Sequence, residues 1–164
     1  MNNKLILIGF VLIILLIGCI QSNKNLQLDC GTDADCFQQT ALNDCGKAKL
    51  NSSTQISGLF GADITFNMQF ESRGKEENQC IYSQKWLSIE ASFPPETQLT
   101  QEEKDQMVSS MKQFEGKEAI CRLSKTEFEN YIRKMVGFIK TGNATFSSDD
   151  LPADKCTGSF YELN

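Results

Sequence analysis

Apolar and polar residues alternate from Asp63 onward. Ile64, Phe66, Met68 and Phe70 fall on one face, and Thr65, Asn67 and Gln69 on the other. Period two over this length predicts a half-buried strand. A second long strand is expected over 79–93, where Cys80 and Tyr82 share one parity and Leu87, Ile89, Ala91 and Phe93 the other. That switch predicts a bulge near Gln84, and Pro94-Pro95 stops the strand. A helical period governs the segments on either side. Phe37, Ala41, Cys45 and Ala48 form one stripe, predicting a helix over 33–49 capped by Thr32 or Asp33. Met107, Met111 and Phe114 follow the capping box Thr100-x-x-Glu103, and the helix they predict ends at Gly116. Phe128, Tyr131, Ile132, Met135 and Ile139 follow a second box, Ser124-x-x-Glu127, and are closed by Gly142.

Between these elements lie a weak strand ending over 55–57, a turn over 58–61 and a hairpin loop over 72–78. A short strand is expected over 117–123, with Ala119, Cys121 and Leu123 facing one way. The tail reads as loop through Asp154, with a closing strand over 159–163. The order α-β-β-β-α-β-α, with consecutive strands, predicts an α+β domain: an antiparallel meander packed by about three helices.

An unbroken apolar run over 5–17 follows a short start that carries Lys4. The run is shorter than the ~20 residues a bilayer span needs and suits the apolar core of a signal peptide. It ends in Leu16-Ile17-Gly18-Cys19. Here the chain resembles prokaryotic lipoprotein precursors, whose lipobox reads Leu, an aliphatic or small residue, Gly or Ala, then Cys. The resemblance implies that residues 1–18 are removed and that Cys19 is diacylglycerol-modified, becoming the mature N-terminus and anchoring the protein to the membrane. The other reading is an uncleaved signal anchor. Both place the remaining chain outside the cytoplasm, because Lys4 stays inside. Residues 19–29 are polar and read as a flexible tether. Residues 30–164 read as a single domain, long enough to bury a core.

The chain has 16 basic and 21 acidic residues, a net charge of −5. Without residues 1–18, which hold one lysine, the balance is about −6. This excludes the basic stripe that nucleic acid requires. Beyond Cys19 the cysteines are Cys30, Cys36, Cys45, Cys80, Cys121 and Cys156, an even set that outside the cytoplasm reads as three disulfides. There is no histidine and no Cys-x-x-Cys pair, so neither a zinc site nor a redox motif is expected. Cys36 and Cys45 lie half a turn apart on the predicted helix and cannot bridge each other. Cys30–Cys36 across Gly31, Cys80–Cys121 and Cys45–Cys156 are the expected pairs among 15 possibilities.

Candidate chemistry is sparse. With no histidine and no Gly-x-Ser-x-Gly elbow, nucleophilic hydrolysis lacks its usual base, and Ser124 is explained as a helix cap. Glu102 and Glu103 are neighbouring carboxylates that diverge by about 100° on a helix and suit its N-terminal dipole. Asp149, Asp150 and Asp154 lack the dense oxygen alternation of a calcium loop. Asn51-Ser52-Ser53 and Asn143-Ala144-Thr145 are glycosylation sequons in predicted loops. Phe60, Tyr82 and Trp86 line either a ligand groove or the core, and Met107 and Met111 read as core. No metal or cofactor is expected. The functional expectation is a non-catalytic, lipid-anchored binding module of the cell envelope, contacting an envelope protein or glycan. The alternatives are a carboxylate-based, glycan-directed hydrolase and an inhibitor or spacer domain.

Overall fold

The structure is a computed structural model that describes residues 26–142 and 153–161. The elements run β1 (Leu28–Asp29), α1 (Ala34–Leu42), β2 (Ala48–Leu59), β3 (Ala62–Glu76), β4 (Gln79–Ser92), α2 (Gln101–Lys112), β5 (Glu118–Leu123), α3 (Lys125–Thr141), a 3-10 turn (Ala153–Lys155) and β6 (Cys156–Thr157). The strands form one sheet in sequence order. β1 lies parallel to β2, and every other pair is antiparallel. The α+β meander with its helices and disulfides is therefore the fold.

Both long hairpins close through two-residue turns. Phe60 and Gly61 have φ of 54° and 76°, and Glu77 and Asn78 have 46° and 71°. Two consecutive positive φ values match the twist of flanking strands. The β3–β4 turn is thus only two residues long, and β3 continues through most of the segment expected as a loop over 72–78. Arg73 is the extra residue that absorbs the register shift there. The expected bulge in β4 sits at Leu87 rather than Gln84. Trp86 faces Met68 and Ser88 faces Asn67, which leaves Leu87 without a partner and half-exposed. Trp86 therefore keeps the parity of Tyr82, and Ile89 and Ala91 rejoin the same face.

The first helix is shorter than expected. It stops at Leu42, and Asp44 and Cys45 take left-handed φ of 55° and 57° that turn the chain back. Ala48, placed on the helical stripe by its spacing, begins β2 instead. Only a weak strand over 55–57 is legible from the sequence, because the inward positions of β2 include Ser52 and Thr54. These are buried, with their hydroxyls 3.3 Å apart. Asn51, expected in a loop, lies in β2, where its Oδ1 accepts a bond from Gln69 Nε2 at 3.1 Å. Asn143 lies outside the described residues.

The helix caps follow their sequence signals. Asp33 accepts from the N–H groups of Asp35 and Cys36, and both expected capping boxes form. Gly142 closes α3 in the left-handed conformation.

Cys30 pairs with Cys36 as expected, but the other two bridges are Cys45–Cys80 and Cys121–Cys156. The expected Cys80–Cys121 and Cys45–Cys156 pairs are wrong for a geometric reason. Across β4 and β5, Cys80 faces Leu123 and Cys121 faces Tyr82, so the two cysteines are diagonal. Cys121 instead lies directly opposite Cys156, with Cα atoms 4.0 Å apart. The reversal at Asp44-Cys45 carries Cys45 to the start of β4.

One face of the sheet holds the core, in two parts. α1 and α3 cover the end containing Phe37, Leu50, Phe70, Tyr82, Phe128 and Ile132. α2 covers the other end, where Ala62, Ile64 and Ile89 are buried. The opposite face is polar, with Asn67 bonded to Ser88 at 2.9 Å and Arg73 paired with Glu71 and Glu118. No helix among the described residues is long and apolar enough to cross a membrane.

Candidate functional site

The apolar stripe of β3 is longer than its helical cover, so part of it stays open. Beside α2 a cleft of about 230 Å³ opens between Phe60, Phe66, Trp86, Met111, Phe114 and Phe160. Phe60 stands at its rim, 72% exposed and in the left-handed region. Asparagine and glycine are the residues that turn position favours. A bulky residue there carries a conformational cost of roughly 1–3 kcal/mol, so the site holds an exposed aromatic ring against its local preference. The turn is fixed from outside by Thr97, whose hydroxyl donates to the Gly61 carbonyl at 2.9 Å.

The floor is aromatic. Trp86 meets Phe66 edge-on at 5.5 Å and stacks on Phe160 at 6.3 Å. The Trp86 indole N–H is buried and has no acceptor among the described residues. Of the three aromatics singled out in the sequence, Phe60 and Trp86 meet here, but Tyr82 does not. Tyr82 is buried in the other core cluster, its hydroxyl 3.2 Å from that of Tyr131, and burial raises its pKa well above the usual 10. Of the two methionines expected in the core, Met111 lines the cleft and Met107 packs against the cluster below it.

Phe160 is the wall that sequence reasoning missed, because it falls in a stretch read as a closing strand over 159–163. The strand is Cys156–Thr157, and the chain then turns. Gly158 makes the turn possible. Its φ is 115°, and a Cβ there would meet the Glu118 carbonyl oxygen at 2.5 Å. The tail is held by Cys121–Cys156, by Ser159 Oγ accepting from the Glu118 N–H at 3.0 Å and by Lys155 paired with Glu127.

The Lys155 ammonium, with help from the Ser124 hydroxyl and N–H, lowers the Glu127 carboxyl from its ordinary 4.5 to about 2. A depressed carboxylate contributes stability that is complete above pH 4.5 and lost as pH falls towards 2. Glu127→Gln is expected to melt below the wild type at pH 7, and that gap should close as pH drops through this window. Melting curves at stepped pH would check it. A constant gap would mean that the charge on Glu127 does not contribute.

The acidic charge gathers at the same end. Over 55–66 and 86–116 the acids are Asp63, Glu90, Glu96, Glu102, Glu103, Asp105 and Glu115, against Lys104 and Lys112. The remaining described residues are close to balanced. Glu103 is committed to the Thr100 capping box, which lowers its pKa. Asp149 and Asp150 lie outside the described residues, and Asp154 is exposed beside Lys155. Among the described residues no three His, Cys, Asp or Glu side chains converge as metal ligands. Chemically, the arrangement offers an open apolar surface in an acidic surround, built on a strand pair and walled by a disulfide-held tail. No protein-family model, curated protein or solved structure matches this chain, so the functional reading rests on that geometry.

Proposed function

We propose that this chain is a lipid-anchored, extracytoplasmic binding module, tethered through Cys19 and recognising its partner at the cleft end. The observation that carries the reading is the placement of the cleft. β1 lies parallel to β2 with Leu28 opposite Ala48, so the chain before Leu28 departs from the end of β2 opposite Phe60. At ~3.3 Å per residue, β2 separates the two points by roughly 35 Å. A membrane tether at one end thus presents an exposed aromatic ring at the other. The acidic surround disfavours contact with anionic lipid and favours a protein partner over the bilayer itself.

Crosslinking on intact cells tests this directly. A photoreactive phenylalanine analogue replaces Phe60 in one strain and Lys134, exposed on α3 and outside the cleft lining, in another. The proposal expects discrete adducts from position 60 and none from 134, and a mature mass that includes a diacylglycerol at Cys19. No adduct from position 60, or an unlipidated Cys19, would count against the respective half of the reading.

A further inference from the structure

The edges of this sheet are treated unequally. Past Trp86 the edge of β4 is closed by the chain after α2. The Trp86 N–H donates to the Lys117 carbonyl, its carbonyl accepts from the Gly116 N–H, and the Ile89 N–H donates to Glu115 Oε1 at 2.8 Å. Among the described residues the edge of β2 has no such cover. β1 spans only two residues, and Asn51 N–H, donating to the Gly31 carbonyl at 2.7 Å, makes the last backbone bond on that side among the described residues. The Lys47 and Lys49 carbonyls accept from Leu28 and Cys30 on the same side. Backbone groups alternate in direction along a strand. The N–H and C=O of Ser53 and Gln55 therefore point outward, and among the described residues no backbone partner meets them. Both side chains are exposed.

Proteins normally blunt such an edge with charge, proline or cover. The segment Asn51-Ser-Ser-Thr-Gln-Ile-Ser-Gly-Leu59 carries no charge or proline and has no cover among the described residues, and its bulge at Ser57-Gly58 lies beyond Ser53 and Gln55. It leads, through that bulge, to the exposed Phe60 and the cleft.

We infer that the open edge of β2 takes an extended, cationic segment of a partner protein as an added strand. Backbone bonds to Ser53 and Gln55 hold it. Its alternate apolar side chains continue the inward face of Thr54 and Ile56 towards the cleft. Main-chain pairing supplies affinity in this mode, and pockets for alternate side chains supply specificity. On the outward face of the strands at this end lie Asp63 and Glu90, which favour lysine or arginine at the outward positions and, with the chain's net negative charge, work against a second copy of this chain. The inference deepens the proposed reading and rests on this end being the recognition surface.

The test uses mature protein in nanodiscs of zwitterionic phospholipid, with empty nanodiscs as blank. The probe is a blocked synthetic peptide alternating lysine with valine, with one central phenylalanine, of about six residues to match a typical strand. Its counterparts carry glutamate for lysine, or N-methyl groups on the backbone nitrogens that would face β2. The lysine peptide is expected to bind, and either change should weaken it about tenfold or more, the loss of roughly one hydrogen bond to a charged or well-placed group. Ser53→Pro should cause the same loss with little change in melting temperature, because proline is tolerated where the N–H faces outward.

Equal binding of the N-methylated peptide overturns strand addition. If Phe60→Asn then abolishes that binding, the cleft alone is the site and the recognition reading stands. No binding by any peptide overturns the cationic-strand inference, while adducts at position 60 would still support a binding end. Concentration-dependent dimerisation abolished by Ser53→Pro gives the edge to a second copy and likewise overturns it. If Ser53→Pro unfolds, the N-methylated peptide on the wild type decides.

Discussion

Replacing Cys45 and Cys80 together by alanine is expected to lower the melting temperature by roughly 10–20 °C. The bridge spans 35 residues of sequence. Closing a loop of that length in the unfolded chain is worth about 4 kcal/mol in the chain-entropy treatment. Both cysteines are buried, so the variant also loses packing at the junction of α1 with β4. A domain of this size has about 5–15 kcal/mol in total, so the loss is a large share. Scanning calorimetry measures it, with unreduced peptide mapping to confirm that the other two bridges persist. A fall of under about 3 °C would show that the unfolded chain is already constrained there.

Replacing Cys121 and Cys156 by alanine should give a different failure. The sequence separation is the same 35 residues, so the loop contribution is similar. What the bridge holds in the native state is not similar, because β6 pairs through only Ile120–Thr157 and Cys121–Cys156. The variant is expected to release its tail below the temperature at which the sheet melts. The chain has one tryptophan, Trp86, and Phe160 stacks on it. Trp86 emission should therefore shift while far-ultraviolet circular dichroism is still native. In the wild type the two signals should coincide, as two-state unfolding requires. Coincident transitions in the variant would mean that the remaining contacts suffice to hold Phe160. Binding at the cleft should fall in the same variant at temperatures where the sheet persists.

The sequence signals that proved reliable were those with one physical cause. Ile64, Phe66, Met68 and Phe70 alternate because one sheet face is buried, and Thr100–Glu103 and Ser124–Glu127 cap helices because those helix N–H groups need acceptors. Signals with two causes misled. Ala41, Cys45 and Ala48 fit a helical period, yet they straddle a helix end, a left-handed reversal and a strand start. Ser52 and Thr54 are small polar residues buried on the inward face of β2, and their polarity hides its alternation. The disulfide pairing depended on register between β4, β5 and β6, which the strand pattern does not encode. For the candidate site, the aromatics Phe60 and Trp86 were visible as residues but not as neighbours. Phe160 was hidden because a two-residue strand and a glycine turn, rather than a periodic element, place it. The open edge of β2 was invisible while β2 itself was read as a fragment.

The cleft also has an order of assembly. Its floor comes from β3 and β4, its roof from α2, and its last wall from Phe160, which follows every other lining residue along the chain. That wall is fixed by a sulfur–sulfur bond to β5, a bond that persists only in an oxidising compartment. A chain in which Cys121 and Cys156 are not joined lacks the bond that holds this wall. On the proposed reading, the cleft is completed for binding only once that bond has closed, so oxidation of Cys121 and Cys156 is itself a step in its maturation.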